Sequence, residues 1–476
     1  MSEIKFGTDG WRAVIAEDFT FANVERVAQA VADFYKDTSK NSKIVIGYDT
    51  RFLSNEFAKN VAAVLSANGF KCIVANAPTP TPAVSLAVKD NDCVCGIMLT
   101  ASHNPPKYNG IKIKSSYGGP AMNQELREIE NRIDRSKIEK IPWEVAISEK
   151  LIQIKDLRPS HLKRIKKMVD MDLISRSKLT IAHDAMFGTG AGFYKNLLSG
   201  TRRAVYELNN NPDPLFGGIN PEPIPENYSE TIKWLMKNRC DVCLVNDGDA
   251  DRIGAIDGSG RPLTSHEIIC LVLIHLIKNR KQRGKVVKAI TTTSIVDKIS
   301  SEYGLDLIET KVGFKHICEK MFEGDVMIGC EESGSIGFGN YIPERDGLLG
   351  GAMLLELLSA EGEKLNTLLK QIEKKYGKTY YRRVDLHINC ETAAKIVSKI
   401  SEGLYSNKLA GKKIETVNVI DGAKIIFTDD EWLMFRASGT EHLLRIYSEA
   451  NSVQSLNHLI QYGVGLAKKL AKMVTI

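Results

Sequence analysis

A serine in a proline-stiffened loop is the first feature of this 476-residue chain that could carry out chemistry. Residues 100–106 read TASHNPP and follow directly on a short apolar run. A serine just beyond a buried strand end can act as a nucleophile or carry a phosphoryl group, although a plain polar loop is the alternative. Because His103 adjoins Ser102, we expect its side chain to point away, which makes it a weak candidate for a general base.

Three aspartates at alternate positions form a second cluster, Asp247, Asp249 and Asp251, which ends in Arg252. Carboxylates at this spacing after a strand can converge on one hard cation such as Mg²⁺. An EF-hand is excluded, because its sixth position needs Gly and its twelfth needs Glu, where this chain has Arg252 and Gly258. An acidic solvated turn remains the alternative. Without a cation or a basic partner, three such close carboxylates would repel one another.

The third cluster, RASGTE at residues 436–441, is basic and rich in small residues. Backbone N–H groups, hydroxyls and guanidinium groups of this kind bind phosphate, and the alternative is a surface turn. The residues concerned are Arg436, Ser438, Gly439, Thr440 and Arg445. A P-loop is excluded by Lys413 after Gly411-Lys412, and no G-x-S-x-G elbow occurs. The three clusters together predict phosphoryl transfer on a phosphorylated ligand.

Short apolar, β-branched runs predict the strands that must position these clusters. The runs are residues 43–49, 93–100, 179–184, 241–246, 285–290 and 325–330. Near-continuous apolarity in short runs is typical of parallel strands covered by helices on both faces. Val24, Val27, Ala28 and Val31 give a helix with one apolar face, and Thr264 with Glu267 gives a helix-capping box. Ligands of such folds gather beyond the carboxyl ends of the strands, where the polar clusters fall.

The alternation predicts an α/β protein of several domains. We place α/β domains at residues 1–147, 148–257 and 258–374, similar enough to suggest an internal triplication. Residues 371–379 look like a polar linker, and the more openly alternating strands of residues 375–476 indicate an α+β domain that closes with a long amphipathic helix.

Composition excludes several functional classes. Lys and Arg total 64 against 58 Asp and Glu, a balance of 64 − 58 = +6 that is too thin for a nucleic-acid or membrane partner but suits a small phosphorylated molecule. Nine cysteines at irregular spacing indicate reduced thiols, and we expect the CxxC at residues 240–243 to be buried rather than to bind zinc. The polar start of the chain shows no secretory signal, so we expect a cytoplasmic location.

The clusters also resemble a known family, the α-D-phosphohexomutases. That family has a serine loop T-[AG]-S-H-N-P-P, a metal loop D-G-D-[AG]-D-R and a phosphate loop R-x-S-G-T-E, and all three occur here in the same order. The resemblance extends to residues 6–12 (FGTDGWR), 47–51 (GYDTR) and 220–223 (NPEP), so it covers nearly the whole chain. It implies four domains, three of them similar mixed-sheet α/β domains and one a C-terminal α+β domain, around a central cleft.

The resemblance implies a role for individual residues. Ser102 would carry the phosphoryl group. The implied metal ligands are Ser102, Asp247, Asp249 and Asp251, and the other implied catalytic residues are Arg12, Lys112 and Arg252. Glu331 and Ser333, in a segment similar to the family's G-E-x-S-G sugar loop, would grip sugar hydroxyls. The full implied substrate-binding set is Lys315, Glu331, Ser333, Arg345, Arg436, Ser438, Gly439, Thr440 and Arg445.

The implied activity is that of an Mg²⁺-dependent isomerase, a phosphoglucomutase or phosphomannomutase. It would interconvert hexose 1-phosphate and hexose 6-phosphate through phosphoserine and a hexose 1,6-bisphosphate, which also acts as activator. The sequence Glu331-Glu332-Ser333 favours glucose, with mannose also allowed. We expect a sugar phosphate as the partner, no nucleic acid and no membrane, and a monomer or homodimer.

Two departures from the family pattern affect the general base. Several members place His where this chain has Ser335, and glucose-preferring members have Lys where it has Arg345. A guanidinium stays protonated, so Lys112 is the preferred candidate for the base. His442 stands where Pro is usual. The competing hypotheses are a phosphoglucosamine mutase, a phosphatase sharing the serine and the metal, and a sugar-phosphate-binding protein without catalysis.

Overall fold

The structure is a computed structural model that describes residues 3–7, 9–38, 42–201, 204–403, 407–439 and 441–474. The chain divides into two compact units. The first unit comprises Met1–Lys285 and Gly313–Leu368, and the second comprises Val286–Val312 and Leu369–Ile476.

The first unit begins with a seven-stranded mixed sheet. Its strands, in spatial order, are Trp11–Val14, Tyr108–Ser115, Cys95–Leu99, Lys43–Tyr48, Lys71–Ala75 and Ile152–Lys155, with Gly119–Pro120 paired to Tyr108–Ser115. The helices along this stretch are Phe21–Thr38, Ser54–Ala67, Thr81–Asp90, Asn123–Glu130 and Trp143–Ser148. The apolar runs at residues 43–49 and 93–100 are confirmed as buried strands. Ile152–Lys155 pairs in parallel with Lys71–Ala75, so the first sheet extends beyond the domain end predicted at residue 147.

A second sheet of five strands carries the acidic cluster. Its strands, in spatial order, are Pro262–Leu263, Ile253–Asp257, Val242–Asn246, Ile181–Asp184 and Val205–Leu208. The helices are Arg158–Met168, Met171–Arg176, Phe193–Leu197 and Ser229–Asn238, with 3₁₀ turns at Phe216–Gly218 and Pro225–Asn227. The buried strand Val242–Asn246 runs into the acidic loop and returns antiparallel as Ile253–Asp257. A strand that turns back so soon must place its loop at the sheet edge.

The remainder of the first unit is a hairpin with three helices. The hairpin joins Val326–Glu331 to Ser335–Phe338. The helices are Ser265–Lys278, Phe314–Glu323 and Gly347–Glu361. The predicted capping box is confirmed, because Thr264 and Glu267 each accept a hydrogen bond from the other's backbone N–H.

The second unit is the α+β part of the chain. It contains the parallel strands Lys285–Ala289 and Leu307–Thr310 and the helix Ile295–Glu302. A six-stranded antiparallel sheet follows, in the order Tyr380–His387, Leu443–Ala450, Trp432–Ala437, Ala423–Phe427, Lys412–Asn418 and Lys408–Leu409. The helices Cys390–Ser401 and Val453–Val474 contribute Ile396, Leu456 and Leu459 to its core. The closing amphipathic helix is thus confirmed.

The predicted linker at residues 371–379 is wrong over most of its length, because Leu365–Tyr376 is a helix. Leu365, Leu368, Leu369 and Ile372 are buried. They recur at i, i+3, i+4 and i+7, which defines one apolar face, and the polar residues between and after them concealed that period.

Cysteine chemistry agrees with the sequence. All nine cysteines are free thiols and eight are buried, including Cys240 and Cys243 of the CxxC segment. Within the described ranges, no helix combines the length and apolarity that crossing a lipid bilayer requires.

Candidate active site

Arg51 holds the serine loop in place. It lies just beyond the carboxyl end of the strand Lys43–Tyr48, and its side chain is buried. Its terminal nitrogens donate hydrogen bonds of 2.6–2.9 Å to four loop carbonyls, those of Ser102, Asn104, Pro105 and Tyr108. A planar guanidinium with five donors can satisfy several acceptors in fixed directions, so one side chain defines the path of the loop.

Ser102 itself is buried and has a left-handed backbone conformation with φ of 52°. Its N–H donates to Thr100 Oγ1 at 2.8 Å, and that hydroxyl donates to Asp49 Oδ2 at 2.6 Å. A non-glycine residue in this conformation is strained, and it persists where surrounding contacts fix it. Strain of this kind is often found at functional positions, which makes Ser102 a candidate.

The serine loop meets the acidic loop. Ser102 Oγ donates to Asp247 Oδ2 at 2.7 Å, although the two residues are 145 positions apart. Gly248 permits this approach, because a Cβ there would lie 2.7 Å from the Ser102 carbonyl oxygen. The sheet edges therefore bring together two clusters that the sequence could only place separately.

The three aspartates of the acidic loop have the arrangement of a cation site. One carboxylate oxygen from each of Asp247, Asp249 and Asp251 lies within 4.8 Å of the others, and all three side chains are buried. Asp249 Oδ1 and Asp251 Oδ1 are buried without a hydrogen-bond partner among the described residues. Burial raises the pKa of Asp247 well above its ordinary value, and the charges of Asp251 and Asp249 raise it further. Orphaned, mutually repelling carboxylate oxygens fit a hard divalent cation such as Mg²⁺.

Lys112 lies against the same carboxylates. Its Nζ is 2.8 Å from Asp249 Oδ2, 2.7 Å from Asp251 Oδ2 and 2.9 Å from Asp9 Oδ2. Burial opposes the charge, but these three carboxylates raise the pKa of Lys112 above its ordinary value. A lysine held in its charged form is a poor proton acceptor, which weighs against our preference for Lys112 as the general base.

Arg345 also reaches the acidic loop. Its Nη2 lies 2.8 Å from Asp251 Oδ2 and also contacts Asp9. Burial alone would raise the pKa of Asp251, but Arg345 and Lys112 lower it below its ordinary value. Arg345 was expected to bind substrate, which stays a prediction, and the structure places it beside the candidate metal ligands.

Asp9 is a site residue that sequence reasoning missed. It accepts a hydrogen bond from Arg12 at 3.2 Å and contacts both Lys112 and Arg345. Arg12 in turn donates to Asn104 Oδ1 of the serine loop at 2.5 Å. The signal was a carboxylate inside the quoted segment FGTDGWR, three positions before a cation that was assigned to the site.

Thr81 was missed for lack of any sequence signal. Its hydroxyl donates to Asp249 Oδ2 at 2.5 Å, and its backbone N–H donates to the Asp249 carbonyl at 3.0 Å. Thr81 is the first residue of the helix Thr81–Asp90. The contact joins a helix beside the first sheet to the acidic loop of the second, so no local sequence pattern predicts it.

The expectation for His103 is wrong. Its Nδ1 lies 3.4 Å from Ser102 Oγ rather than pointing away. Burial and the positive charges of Arg252 and Arg12 lower the pKa of His103 well below its ordinary value. The left-handed backbone at Ser102 turns the two neighbouring side chains towards one another, which an extended chain would not do.

The predicted sugar loop is a small hydrogen-bonded set. Glu331 Oε1 accepts from the Gly313 N–H at 2.9 Å, and Glu331 Oε2 accepts from the Ser333 hydroxyl at 3.2 Å. The hydroxyls of Ser333 and Ser335 are 2.9 Å apart. Lys315, at the start of the helix Phe314–Glu323, donates to Asn123, and burial lowers its pKa. The carboxylate and hydroxyl groups of this set are suited to binding sugar hydroxyls.

Arg252 borders the acidic loop. Its backbone N–H donates to Asp247 Oδ1 at 3.0 Å, and its Nη1 lies 3.3 Å from Glu222 Oε1. Burial opposes its charge, but Asp247 and Glu222 raise its pKa. Arg252 is thus a permanent cation beside the three carboxylates.

The predicted phosphate loop lies in the second unit. Arg436 and Arg445 are direct cross-strand partners, and Arg436 Nε lies 2.7 Å from Asp421 Oδ2 while Arg445 contacts Glu441. Ser438 Oγ accepts from the Glu441 N–H at 3.2 Å, and Gly439 is exposed. Thr440 lies outside the described residues. Like charges directly opposite one another favour an anion between them.

Taken together, the first unit presents a buried serine on three carboxylates, surrounded by Arg12, Lys112, Arg252 and Arg345. Charge neutralisation and fixed positions are what phosphoryl transfer requires, so this fold and site define an enzyme of phosphoryl transfer.

Comparison with known proteins supports that class. Four family models match in order, described as phosphoglucomutase/phosphomannomutase alpha/beta/alpha domain I at residues 3–140, domain II at 159–260, domain III at 264–376 and the C-terminal domain at 386–462. A phosphoglucomutase/phosphomannomutase of Thermococcus kodakarensis is 30% identical, and the match covers 98% of this chain and 99% of that protein. A phosphoglucosamine/phosphogalactosamine mutase of Sulfurisphaera tokodaii is 31% identical, with 96% and 97% covered.

Solved structures agree. A Thermus thermophilus crystal structure described as a phosphomannomutase matches with a TM-score of 0.86 and 33% identity, over 98% of this chain and 99% of that one. The fold is also shared by the Aspergillus fumigatus N-acetylphosphoglucosamine mutase in complex with GlcNAc-6P and magnesium, at a TM-score of 0.60 and 16% identity over 99% and 96%. The chain belongs to the phosphoglucomutase/phosphomannomutase family and is a phosphomutase, an isomerase of carbohydrate metabolism.

Proposed function

We propose that this enzyme interconverts hexose 1-phosphate and hexose 6-phosphate, with glucose as the preferred hexose and mannose as a second substrate. The observation that carries the proposal is the 2.7 Å hydrogen bond between Ser102 Oγ and Asp247 Oδ2. It unites a nucleophile with a triad of carboxylates suited to a divalent cation. A serine so placed can hold a phosphoryl group whose charge the site neutralises.

Asp247, Asp249 and Asp251 would hold Mg²⁺, together with an oxygen on Ser102. Bound there, the ion would neutralise negative charge on the phosphoryl oxygens. Lys112, Arg252 and Arg345 add fixed positive charge from the protein side. Because these cations are already oriented by carboxylates and backbone, little reorganisation is needed at the moment of transfer.

In the first transfer, the P–O bond on phospho-Ser102 breaks and a bond to the free sugar hydroxyl forms, giving hexose 1,6-bisphosphate. The hydroxyl proton leaves to a base. The Ser102 oxygen takes up a proton as it leaves. After the bisphosphate turns over, Ser102 Oγ gives up that proton and forms a bond to the other phosphorus, whose P–O bond to the sugar breaks. The sugar oxygen takes up a proton and the product departs. Nδ1 of His103 lies 3.4 Å from Ser102 Oγ, so this side chain is placed to exchange a proton with the serine oxygen.

The loop at Arg436, Ser438, Gly439 and Thr440, with Arg445, would bind the phosphate that is not reacting. Opposed guanidinium groups suit a dianion in either of the two sugar orientations. Glu331 and Ser333 would contact the sugar hydroxyls, with Lys315 alongside. The free state of all nine cysteines supports a cytoplasmic location, and a monomer or homodimer stays a prediction.

A coupled assay tests this function. Purified enzyme with glucose 1-phosphate, Mg²⁺ and a trace of glucose 1,6-bisphosphate should form glucose 6-phosphate, and Ser102→Ala should lower kcat by more than about 10³-fold. Intact mass should show one phosphoryl group on the wild type after incubation with bisphosphate and none on Ser102→Ala. Ser359→Ala, on the helix Gly347–Glu361, is the matched control that should retain activity. Unchanged turnover in Ser102→Ala would refute the mechanism.

Phosphoglucosamine mutase is the second candidate. The similarity to an archaeal phosphoglucosamine/phosphogalactosamine mutase favours it, whereas Glu332 and Ser335 favour glucose. Comparing kcat/KM on glucose, mannose and glucosamine phosphates decides between them. Net release of inorganic phosphate would instead indicate a phosphatase, and binding without phosphorylation of Ser102 would indicate a protein without catalysis.

A further inference from the structure

Glu344 is a fully buried carboxylate next to Arg345 in the chain. Its Oε2 accepts from Lys114 Nζ and, at 3.0 Å, from the Ser85 hydroxyl, while its Oε1 accepts from the Arg345 N–H at 3.1 Å. Lys114 and Ser85 are also fully buried. Three separate segments therefore meet at one carboxylate, and Glu344, Lys114 and Ser85 were assigned no role above.

Asp346, on the other side of Arg345, is fixed as firmly. Its Oδ1 accepts from the N–H groups of Leu348 and Leu349 at 3.0 Å, capping the helix Gly347–Glu361. Its Oδ2 lies 2.7 Å from His161 Nε2 and 3.0 Å from the Tyr341 hydroxyl. The backbone on both sides of Arg345 is thus pinned by buried groups, which leaves its guanidinium a restricted range of positions.

Lys114 belongs to the same strand as Lys112, two positions further along, so both side chains leave the same face of Tyr108–Ser115. Lys112 touches Asp251 directly, at 2.7 Å. Lys114 reaches that carboxylate only through Glu344 and the neighbouring Arg345, whose Nη2 is 2.8 Å from Asp251 Oδ2. The strand Tyr108–Ser115 thereby affects two cations at Asp251. It supplies Lys112, which contacts Asp251 directly, and Lys114, which acts through Glu344 on the position of Arg345.

A buried ion pair is weak evidence for a role in stability, because well-packed neutral residues of similar volume are often as stable. The location of this pair points to another role. We propose that Lys114 and Glu344 form a positioning pair, which holds Arg345 against Asp251 so that its charge acts on the transferring phosphoryl group. This inference rests on the proposed function, since it assigns Arg345 a part in that transfer.

The test uses the single variants Lys114→Met and Glu344→Gln and the double variant in the full chain. Each single variant strands a buried partner and should lower the thermal midpoint. In the double variant no charge is left alone, and the amide introduced by Glu344→Gln can still accept from the Arg345 N–H and donate to Ser85. Its midpoint should therefore return to within about 2 °C of wild type. A neutral pair, however, should hold Arg345 less well, so kcat should stay about 10- to 100-fold low, with KM for glucose 1-phosphate little changed.

Metal binding supplies a second readout, measured with Mn²⁺ by electron paramagnetic resonance. Displacing one positive charge from Asp251 should make Mn²⁺ bind tighter in the double variant, by about fivefold for one unit charge at 4 Å in water. General disorder of the site would weaken binding instead. Arg280→Met with Glu356→Gln is the control. In this ion pair Glu356 is buried and Arg280 partly exposed, and in the described part of the chain it makes no contact with the site residues named here, so the double variant should keep wild-type kcat and Mn²⁺ affinity.

Three outcomes overturn the proposal. Recovery of both stability and kcat in the double variant would make the pair structural. A raised KM at wild-type kcat would place its effect on sugar binding, and weakened Mn²⁺ binding would indicate disorder of the acidic loop. Failure of the proposed function is distinguishable, because wild-type enzyme would then also lack turnover of glucose 1-phosphate.

Discussion

The serine–aspartate centre of the first unit and the phosphate loop of the second are both suited to bind phosphate, but they are built differently. At the centre, Ser102 and the three aspartates are completely buried, and their partners come from several strands and helices. In the phosphate loop, Gly439 and Glu441 are exposed, and the contacts come from within a few residues or from the neighbouring strand.

Under the proposed function, this difference would correspond to two tasks, one at the reacting phosphoryl group and one at the phosphate that does not react. Groups at the reacting phosphoryl must be fixed before the reaction, because they stabilise the transition state most when they need not reorient during the transfer. The group that holds the distant phosphate must accept a substrate in two orientations, which a short polar loop tolerates better than a buried network. Substitutions should therefore act mainly on kcat at the centre and mainly on KM in the phosphate loop.

The largest effect is expected at Asp249. Asp249→Asn removes one of three carboxylates from the candidate cation site, so kcat should fall on the order of 10³-fold and Mn²⁺ affinity should fall with it. Asp257→Asn, an equally buried aspartate that caps a turn after the strand Ile253–Asp257, is the control. Wild-type activity in Asp249→Asn would show that catalysis does not depend on a metal ion bound by this aspartate.

Arg51→Lys tests whether the centre depends on its remote supports. Lysine cannot reach four carbonyls from a planar fork, so the serine loop should shift and kcat should fall by about 10- to 100-fold with KM nearly constant. Steady-state kinetics measures both constants. Arg26→Lys, which alters an arginine paired with Asp134, should leave them unchanged. A rise in KM alone would contradict the distinction between the two regions.

Arg436→Lys tests the phosphate loop in the same way. A single ammonium replaces the guanidinium opposite Arg445, so KM for the sugar phosphate should rise by about tenfold while kcat changes less. Arg382→Lys, on an exposed position of the same sheet, is the control. If kcat instead fell at constant KM, the loop would belong to the chemical step.

The smallest effect appears only in acid. Burial lowers the pKa of His183 to about 4 from an ordinary value of 6.5. The folded state thus prefers neutral His183. The contribution of neutral His183 to the free energy of unfolding is fully present above pH 6.5. It is lost as the pH falls from 6.5 towards 4, by about 3 kcal/mol in total.

The His183→Gln variant should lack that acid-induced loss while matching the wild type in its pH trend above pH 6.5. Urea unfolding at several pH values measures this, with exposed His387→Gln as the control. The side chain of His183 makes a hydrogen bond with Asn246, just before the acidic loop. Equal loss of stability in acid for the wild type and the variant would mean that a group other than His183 causes the loss.

Much of the fold and site was predictable from local patterns. The buried strands, the capping box at Thr264 and the closing helix follow from periodicity and cap chemistry. Leu365–Tyr376 was misjudged as a linker because its second half is rich in polar and charged residues, although they lie off its apolar face. Thr81 and Glu344 were not predicted, since their side-chain partners lie more than one hundred positions away. Asp9 was missed although it stands three positions before Arg12.

The sequence by itself determined which chemical groups are available: a serine in a stiff loop, three alternating carboxylates and an arginine-rich phosphate loop. Only the tertiary structure decided what those groups can do. Folding sets Ser102 against Asp247, fixes Lys112 as a cation and turns His103 towards the serine. The physical reason is that reactivity depends on distance, burial and neighbouring charge. Those quantities exist only once distant segments pack together.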